Sequence, residues 1–258
     1  MLSKLFSFGK LSLCFRSVFL RKTLGGGQLN SWIKLGLFLI VSTMLTRLIP
    51  FSSFFRSVDT LVHEMAHAMA TLLLSGKVMY IHLFADQSGV TYSTYTDIWK
   101  AIPIALAGYM GASLFTLLLF RLYNKNRERQ GLLIVAGLAI LALVLFVRNS
   151  YGMIWCAGFA ALTILVYTVS PGWLRQTYYL LIAFICLVES VISSFVILSL
   201  AFIDPAAAGD AANLSKATAV PAFVWGLCFT AFSLWCAKLS IGQLFKRLTA
   251  PRTIVPKS

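Results

Sequence analysis

Apolar residues run in long blocks along this chain, and charged residues collect in the gaps between them. Six blocks have a length that suits a membrane-spanning helix: residues 32–49, 101–122, 131–147, 151–170, 178–203 and 219–239. A seventh apolar stretch, residues 59–74 (DTLVHEMAHAMATLLL), carries ionisable groups at its centre. Ser57 or Asp59 is predicted to cap this helix, and Ser75 and Gly76 to end it. Residues 77–96 change period. Val78, Tyr80, Ile81, Val90, Thr91 and Tyr92 favour strands, and the intervening Asp86, Gln87, Ser88 and Gly89 are turn formers, so a β-hairpin is predicted. The fold class is an all-α polytopic membrane protein of about six transmembrane helices, plus the residue 59–74 helix and this short hairpin.

Three regions follow. Residues 1–30 form a basic amphipathic segment in which Lys4, Lys10, Arg16, Arg21 and Lys22 alternate with short apolar clusters. They suit the surface of an anionic membrane, or an organellar transit peptide. Residues 31–245 form the membrane domain, and residues 246–258 a basic cytoplasmic tail. Within the domain, Ala105, Ala107, Gly108, Gly111, Ala112 and Ser113 give one helix a small-residue face for close packing against the residue 59–74 helix.

Composition agrees with this division. Of 258 residues 59% are hydrophobic and only 12% charged, which excludes an ordinary soluble domain. Lys and Arg number 22 against 8 Asp and Glu. The basic residues sit at the ends of apolar blocks, as cytoplasmic anchors do, so they do not indicate nucleic-acid binding. The five cysteines form no CxxC pair, and four lie in apolar blocks as packing residues.

Charge also constrains topology. Seven crossings would put the termini on opposite sides of the membrane, yet both termini and the 121–129 loop are basic. A cytoplasmic tail places residues 204–216, Arg148 with Asn149, and the hairpin on the outer side. It places Arg175 and the 121–129 loop inside. The residue 59–74 helix is then the non-crossing element, entering with the hairpin as a re-entrant unit.

The chemistry lies in that helix. His63, Glu64 and His67 form an HExxH pattern, and at helical pitch the two imidazoles fall one turn apart on one face. Such a pair can share a zinc ion, with the intervening carboxylate as general base. Without a metal the same residues would be a hydrogen-bonded core cluster. Ionisable groups on an apolar membrane helix point to function.

A zinc site of this kind needs a third ligand. Asp59 suits a cap or a partner to His63. Asp86, Asp97 and Glu128 read as solvated. Glu189 lies mid-span, where a free carboxylate is costly, and Asp204 precedes Pro205 in a turn. Asp210 opens a helix on the side assigned to the HExxH unit, where it could equally be an exposed cap. His82 reads as a hairpin residue rather than a ligand.

The sequence resembles the site-2 protease class of intramembrane zinc metalloproteases, and within it the compact bacterial branch without a PDZ domain. The resemblance covers roughly residues 55–240. It rests on DTLVHEMAHAMATLLLSGKV at 59–78, SGVTYS at 88–93, AGYMGASLF at 107–115, RNSYG at 148–152 and GDAANLSKATAVPAFVW at 209–225. It implies Zn2+ held by His63, His67 and Asp210, Glu64 as the catalytic residue, membrane-protein or peptide substrates, and a bacterial inner membrane. The better-studied members hold their third carboxylate in an Asn-Pro-x-Asp-Gly-like motif, which this protein lacks. The expected function is a zinc-dependent endopeptidase acting in or beside the membrane. In it the hairpin either takes an extended substrate by strand addition or serves as a structural lid. The alternatives are a non-catalytic metal-binding scaffold with the same fold, and a transporter using Glu189 and His82 as a proton relay.

Overall fold

The computed structural model describes residues 52–249, together with positions 36, 39, 40 and 43. The basic segment 1–30, the block 32–49 apart from those positions, Cys14 and residues 250–258 lie outside the described residues. The described part runs α1 (Ser52–Leu73), β1 (Lys77–Leu83), β2 (Gly89–Thr94), a 3-10 turn (Ile98–Lys100), α2 (Ala101–Asn124), α3 (Glu128–Leu145) and α4 (Ser150–Val169). It continues with α5 (Gly172–Ile203), a 3-10 turn (Pro205–Ala207), α6 (Gly209–Thr218) and α7 (Ala222–Thr249). Five helices, from α2 to α5 and α7, are long and apolar enough to cross a membrane. They correspond to five of the six predicted blocks. Leu133, Val144, Leu165, Val196 and Trp235 stand exposed on them, as lipid-facing residues do.

The helix ends follow from local chemistry. Pro103 sits in the first turn of α2, where its missing N–H breaks no helical bond. At the end of α3, Arg148 donates to the carbonyls of Leu145 at 2.8 Å and Val144 at 3.2 Å, satisfying acceptors that the helix leaves open. Helix α1 ends as predicted, but Ser75 rather than Gly76 takes the left-handed φ of 58°. The start differs from expectation. The backbone is already helical at Ser52, so Ser57 and Asp59 are interior residues: Ser57 donates back to the Ser53 carbonyl, and Asp59 is buried.

Loops cluster at two ends of the bundle. At one end lie the hairpin, the α3–α4 loop and the start of α6. Strand β1 pairs antiparallel with β2 on one side, through partners such as Ile81 with Thr91. On its other side Ile81 donates to the Phe146 carbonyl (2.9 Å) and accepts from the Arg148 N–H (3.2 Å). Asn149 completes this clamp, accepting from the Leu83 N–H at 3.1 Å and donating to its carbonyl at 2.5 Å. At the opposite end, Arg247 of α7 pairs with Glu128 and lies 3.7 Å over the Tyr123 ring, and Gln176 donates to the Tyr123 hydroxyl. Glu128 is therefore ion-paired and largely covered, not solvated as its basic loop suggests. The two groupings of loops are those that the charge pattern requires.

Helix α1 begins in the depth of the bundle. Phe55 packs edge-on to Tyr178, six residues into α5. Arg56 grips the Glu189 carboxylate with two bonds, of 2.7 and 3.2 Å. The mid-span carboxylate thus has a cationic partner, which answers its desolvation cost. We expect Arg56→Met to destabilise the protein by roughly 3 kcal/mol, because Glu189 stays buried after losing that partner. The double change to Arg56→Met with Glu189→Leu should restore most of the loss. Thermal unfolding of the detergent-solubilised variants measures both; equal losses in the single and double variants would count against the argument.

Candidate metal centre

His63 and His67 project from one face of α1 toward α2 and α6. Their Nε2 atoms lie 3.0 Å apart. Asp210, in the first turn of α6, brings Oδ2 to 3.3 Å from His63 Nε2 and 3.1 Å from His67 Nε2. The three edges can be compared with a metal site. Donors about 2.1 Å from a zinc ion at tetrahedral angles lie roughly 3.4 Å from one another. The observed triangle is close to one face of such a tetrahedron, slightly contracted.

Proton positions favour the same reading. His67 Nδ1 lies 2.7 Å from the Ile104 carbonyl, so that nitrogen carries the hydrogen and donates it. Its Nε2 then presents a lone pair, the tautomer that binds metals. Asp210 Oδ2 is buried and makes no bond of hydrogen-bond geometry, although it touches both imidazoles. Converging lone pairs around an unsatisfied carboxylate oxygen are a donor set suited to a divalent cation of the zinc type. Among the described residues, these three form the one group of His, Cys, Asp or Glu side chains with that geometry.

The neighbouring helix makes room for the imidazoles only at a glycine. A Cβ at Gly108 would fall 2.4 Å from His67 Nε2 and 2.5 Å from the His63 ring. One turn on, a Cβ at Gly111 would fall 2.5 Å from the Ala66 Cβ. The small-residue face of α2 therefore abuts the HExxH helix, as predicted, and it does so at the imidazoles themselves. Tyr109 closes the side of His63, ring against ring at 4.6 Å, and is itself backed by Phe229.

Glu64 points to β2. Its Oε2 accepts from the Thr91 hydroxyl at 2.6 Å, and its side chain lies against Gly89, where a Cβ would fall 2.8 Å from the Glu64 Oε1. Glu64, the two histidines and Asp210 open into a cleft of about 670 Å³, within the range of ligand sites. Residues 89–93 of β2 form one wall, with Tyr95 and Ile98 beyond them, and Asn213 and Lys216 of α6 form another. Ile81 turns its backbone groups toward residues 146–148. Its partner Thr91 therefore turns its own N–H and C=O the other way, to the outer edge of β2.

The remaining candidates stand apart. Asp210 is no exposed cap: its side chain makes no capping bond. Asp59, four residues before His63, is buried with Oδ1 unpaired, and no hydrogen bond joins it to His63 among the described residues. Asp86 bonds Ser88 in the exposed hairpin turn, Asp97 pairs with Lys100, and Asp204 caps the following 3-10 turn. His82 stacks on Tyr80 at 4.7 Å and does not line the cleft. Thr91 and Tyr109 fall within the SGVTYS and AGYMGASLF motifs, but nothing in the sequence gives either a role at the site, or points to the Ile104 carbonyl. Thr91 reads there as one more strand former, and a backbone carbonyl leaves no trace in residue type.

A polytopic helical bundle that holds an HExxH helix against a third carboxylate has the architecture of a membrane metallopeptidase. The protein belongs to the Peptidase M50B-like family, whose model matches residues 33–240, and is thus a membrane metallopeptidase of the site-2 protease kind. Comparisons with curated proteins and with solved structures gave no match.

Proposed function

We propose that this protein is a zinc-dependent endopeptidase that hydrolyses peptide bonds of membrane-protein segments in the cleft between α1, α6 and β2. The observation that carries the reading is the convergence of His63, His67 and Asp210 on one point beside Glu64, open to the cleft. His63, His67 and Asp210 hold the metal. Zinc bound there supplies Lewis-acid polarisation of a carbonyl and acidifies water. Glu64 accepts the proton of the attacking water and passes it to the departing amine. Thr91 holds Oε2 of that carboxylate, leaving Oε1 for the proton. The outer edge of β2 receives the substrate as an added strand, which requires a transmembrane substrate to unwind locally.

A transporter reading lacks its relay, because Glu189 is bound to Arg56 and His82 lies in the hairpin. A scaffold would have no use for a carboxylate held toward the cleft. The bacterial inner membrane, with the hairpin end outside, is the proposed location.

Zinc content of the detergent-purified protein tests the ligand set. Wild type should carry about one zinc per molecule, and Asp210→Ala should lose most of it. Full retention in Asp210→Ala would remove Asp210 from the set. A wild type without zinc even after reconstitution would leave the scaffold reading in its place.

A further inference from the structure

Lys216 stands in the wall of the cleft, and no role follows for it from the hydrolytic machinery. It is the one Lys or Arg among the described residues that line the cleft. It lies six residues after Asp210 on α6, with Asn213 between them among the residues lining the cleft. The opposing wall is the outer edge of β2 with Tyr92, Tyr95 and Ile98. If the centre works as proposed above, the Glu64 and Asp210 carboxylates balance a divalent ion, and Lys216 remains as the uncompensated charge among the described residues of the cleft. A strand laid along β2 would meet aromatic and apolar surface on one side and this single cation on the other.

We infer that Lys216 is a specificity-determining residue that selects substrates carrying a carboxylate a short distance from the scissile bond. Lys216 follows Asp210 by six positions on α6, about 9 Å along the helix. An extended peptide spans that distance in about three residues. The carboxylate is either an Asp or Glu side chain about three residues from the cut, or the C-terminal carboxylate of a substrate that ends at that distance. Lys216 is exposed, and a cation at an exposed rim acts on selectivity more than on overall affinity. The expected preference for the anionic peptide is about fivefold.

The test rests on binding, so it does not depend on turnover. Full-length Glu64→Gln protein in neutral detergent, with its zinc content measured, is titrated with labelled extended apolar peptides. One is uncharged and amidated. Two carry Glu about three residues to either side of the central bond. One is uncharged with a free C-terminal carboxylate at that distance, and one carries Lys there. Lys216 should favour a carboxylate peptide, and the peptide that gains identifies the side-chain or terminal source. Lys216→Met should abolish the preference, and Lys216→Glu should transfer it to the Lys peptide. The same ranking of peptides in all three proteins would overturn the role of Lys216 and leave the peptidase reading standing. No binding of any peptide by zinc-replete protein would overturn both.

Discussion

Replacing Glu64 with Gln should lower the rate of peptide hydrolysis by roughly 10²- to 10⁴-fold, the span that a positioned general base contributes. The change keeps the shape of the side chain and its contact with Thr91, since an amide oxygen accepts from the hydroxyl as a carboxylate oxygen does. It removes the group able to take a proton. Glu64 is not one of the three converging donors, so zinc content should remain at the wild-type level. Substrate affinity should change little, placing the loss in kcat rather than KM. This combination separates a proton-transfer role from a structural one, which would lower metal content and stability together. A Glu64→Gln protein that cleaves as fast as wild type would eliminate the proposed mechanism.

A change of similar size is expected from a residue that carries no chemistry. Gly108→Ala adds one methyl group, placed 2.4 Å from His67 Nε2 and within 2.6 Å of His63 Cε1 and Nε2. The rings have little freedom to yield: His67 is tied to the Ile104 carbonyl, and His63 is packed against Tyr109. The methyl therefore either turns the imidazoles away from Asp210 or pushes α2 from α1. We expect zinc affinity to fall by about 100-fold, comparable to the loss of an outer-shell orienting group, and activity to fall with it. Gly137→Ala in α3 is the control, because a Cβ there meets nothing within 4 Å. Competition titration with a zinc chelator measures both. Wild-type affinity in Gly108→Ala would mean that the helices separate without cost.

Much of this arrangement is legible in the sequence because membrane helices declare themselves by length and apolarity. Five predicted blocks return as helices, and the hairpin is where strand formers flank turn residues. His63, Glu64 and His67 are visible because ionisable residues are rare in such a protein. Asp210 is harder to find: no local feature separates it from a helix cap, and its part in the centre depends on α6 folding back over α1. The Arg56–Glu189 pair is hidden for the same reason. Glu189 alone reads as a costly mid-span carboxylate, Arg56 lies between predicted apolar blocks, and only the bundle brings them together across 133 positions. Gly108 reads correctly as a packing residue, but residue type cannot reveal that the surface it packs against is a pair of imidazoles.

That separation in sequence has a bearing on biosynthesis. Arg56, Asp59 and Glu64 make α1 a poor candidate for partitioning into lipid unaided. The carboxylate that pairs with Arg56 is not translated until residue 189, and the one that completes the donor triangle not until residue 210. A nascent polypeptide shorter than this carries the two histidines without their third partner. The donor triangle therefore cannot close until residue 210 has been made, after α1 to α5 and before α7, whose Phe229 backs Tyr109 beside it.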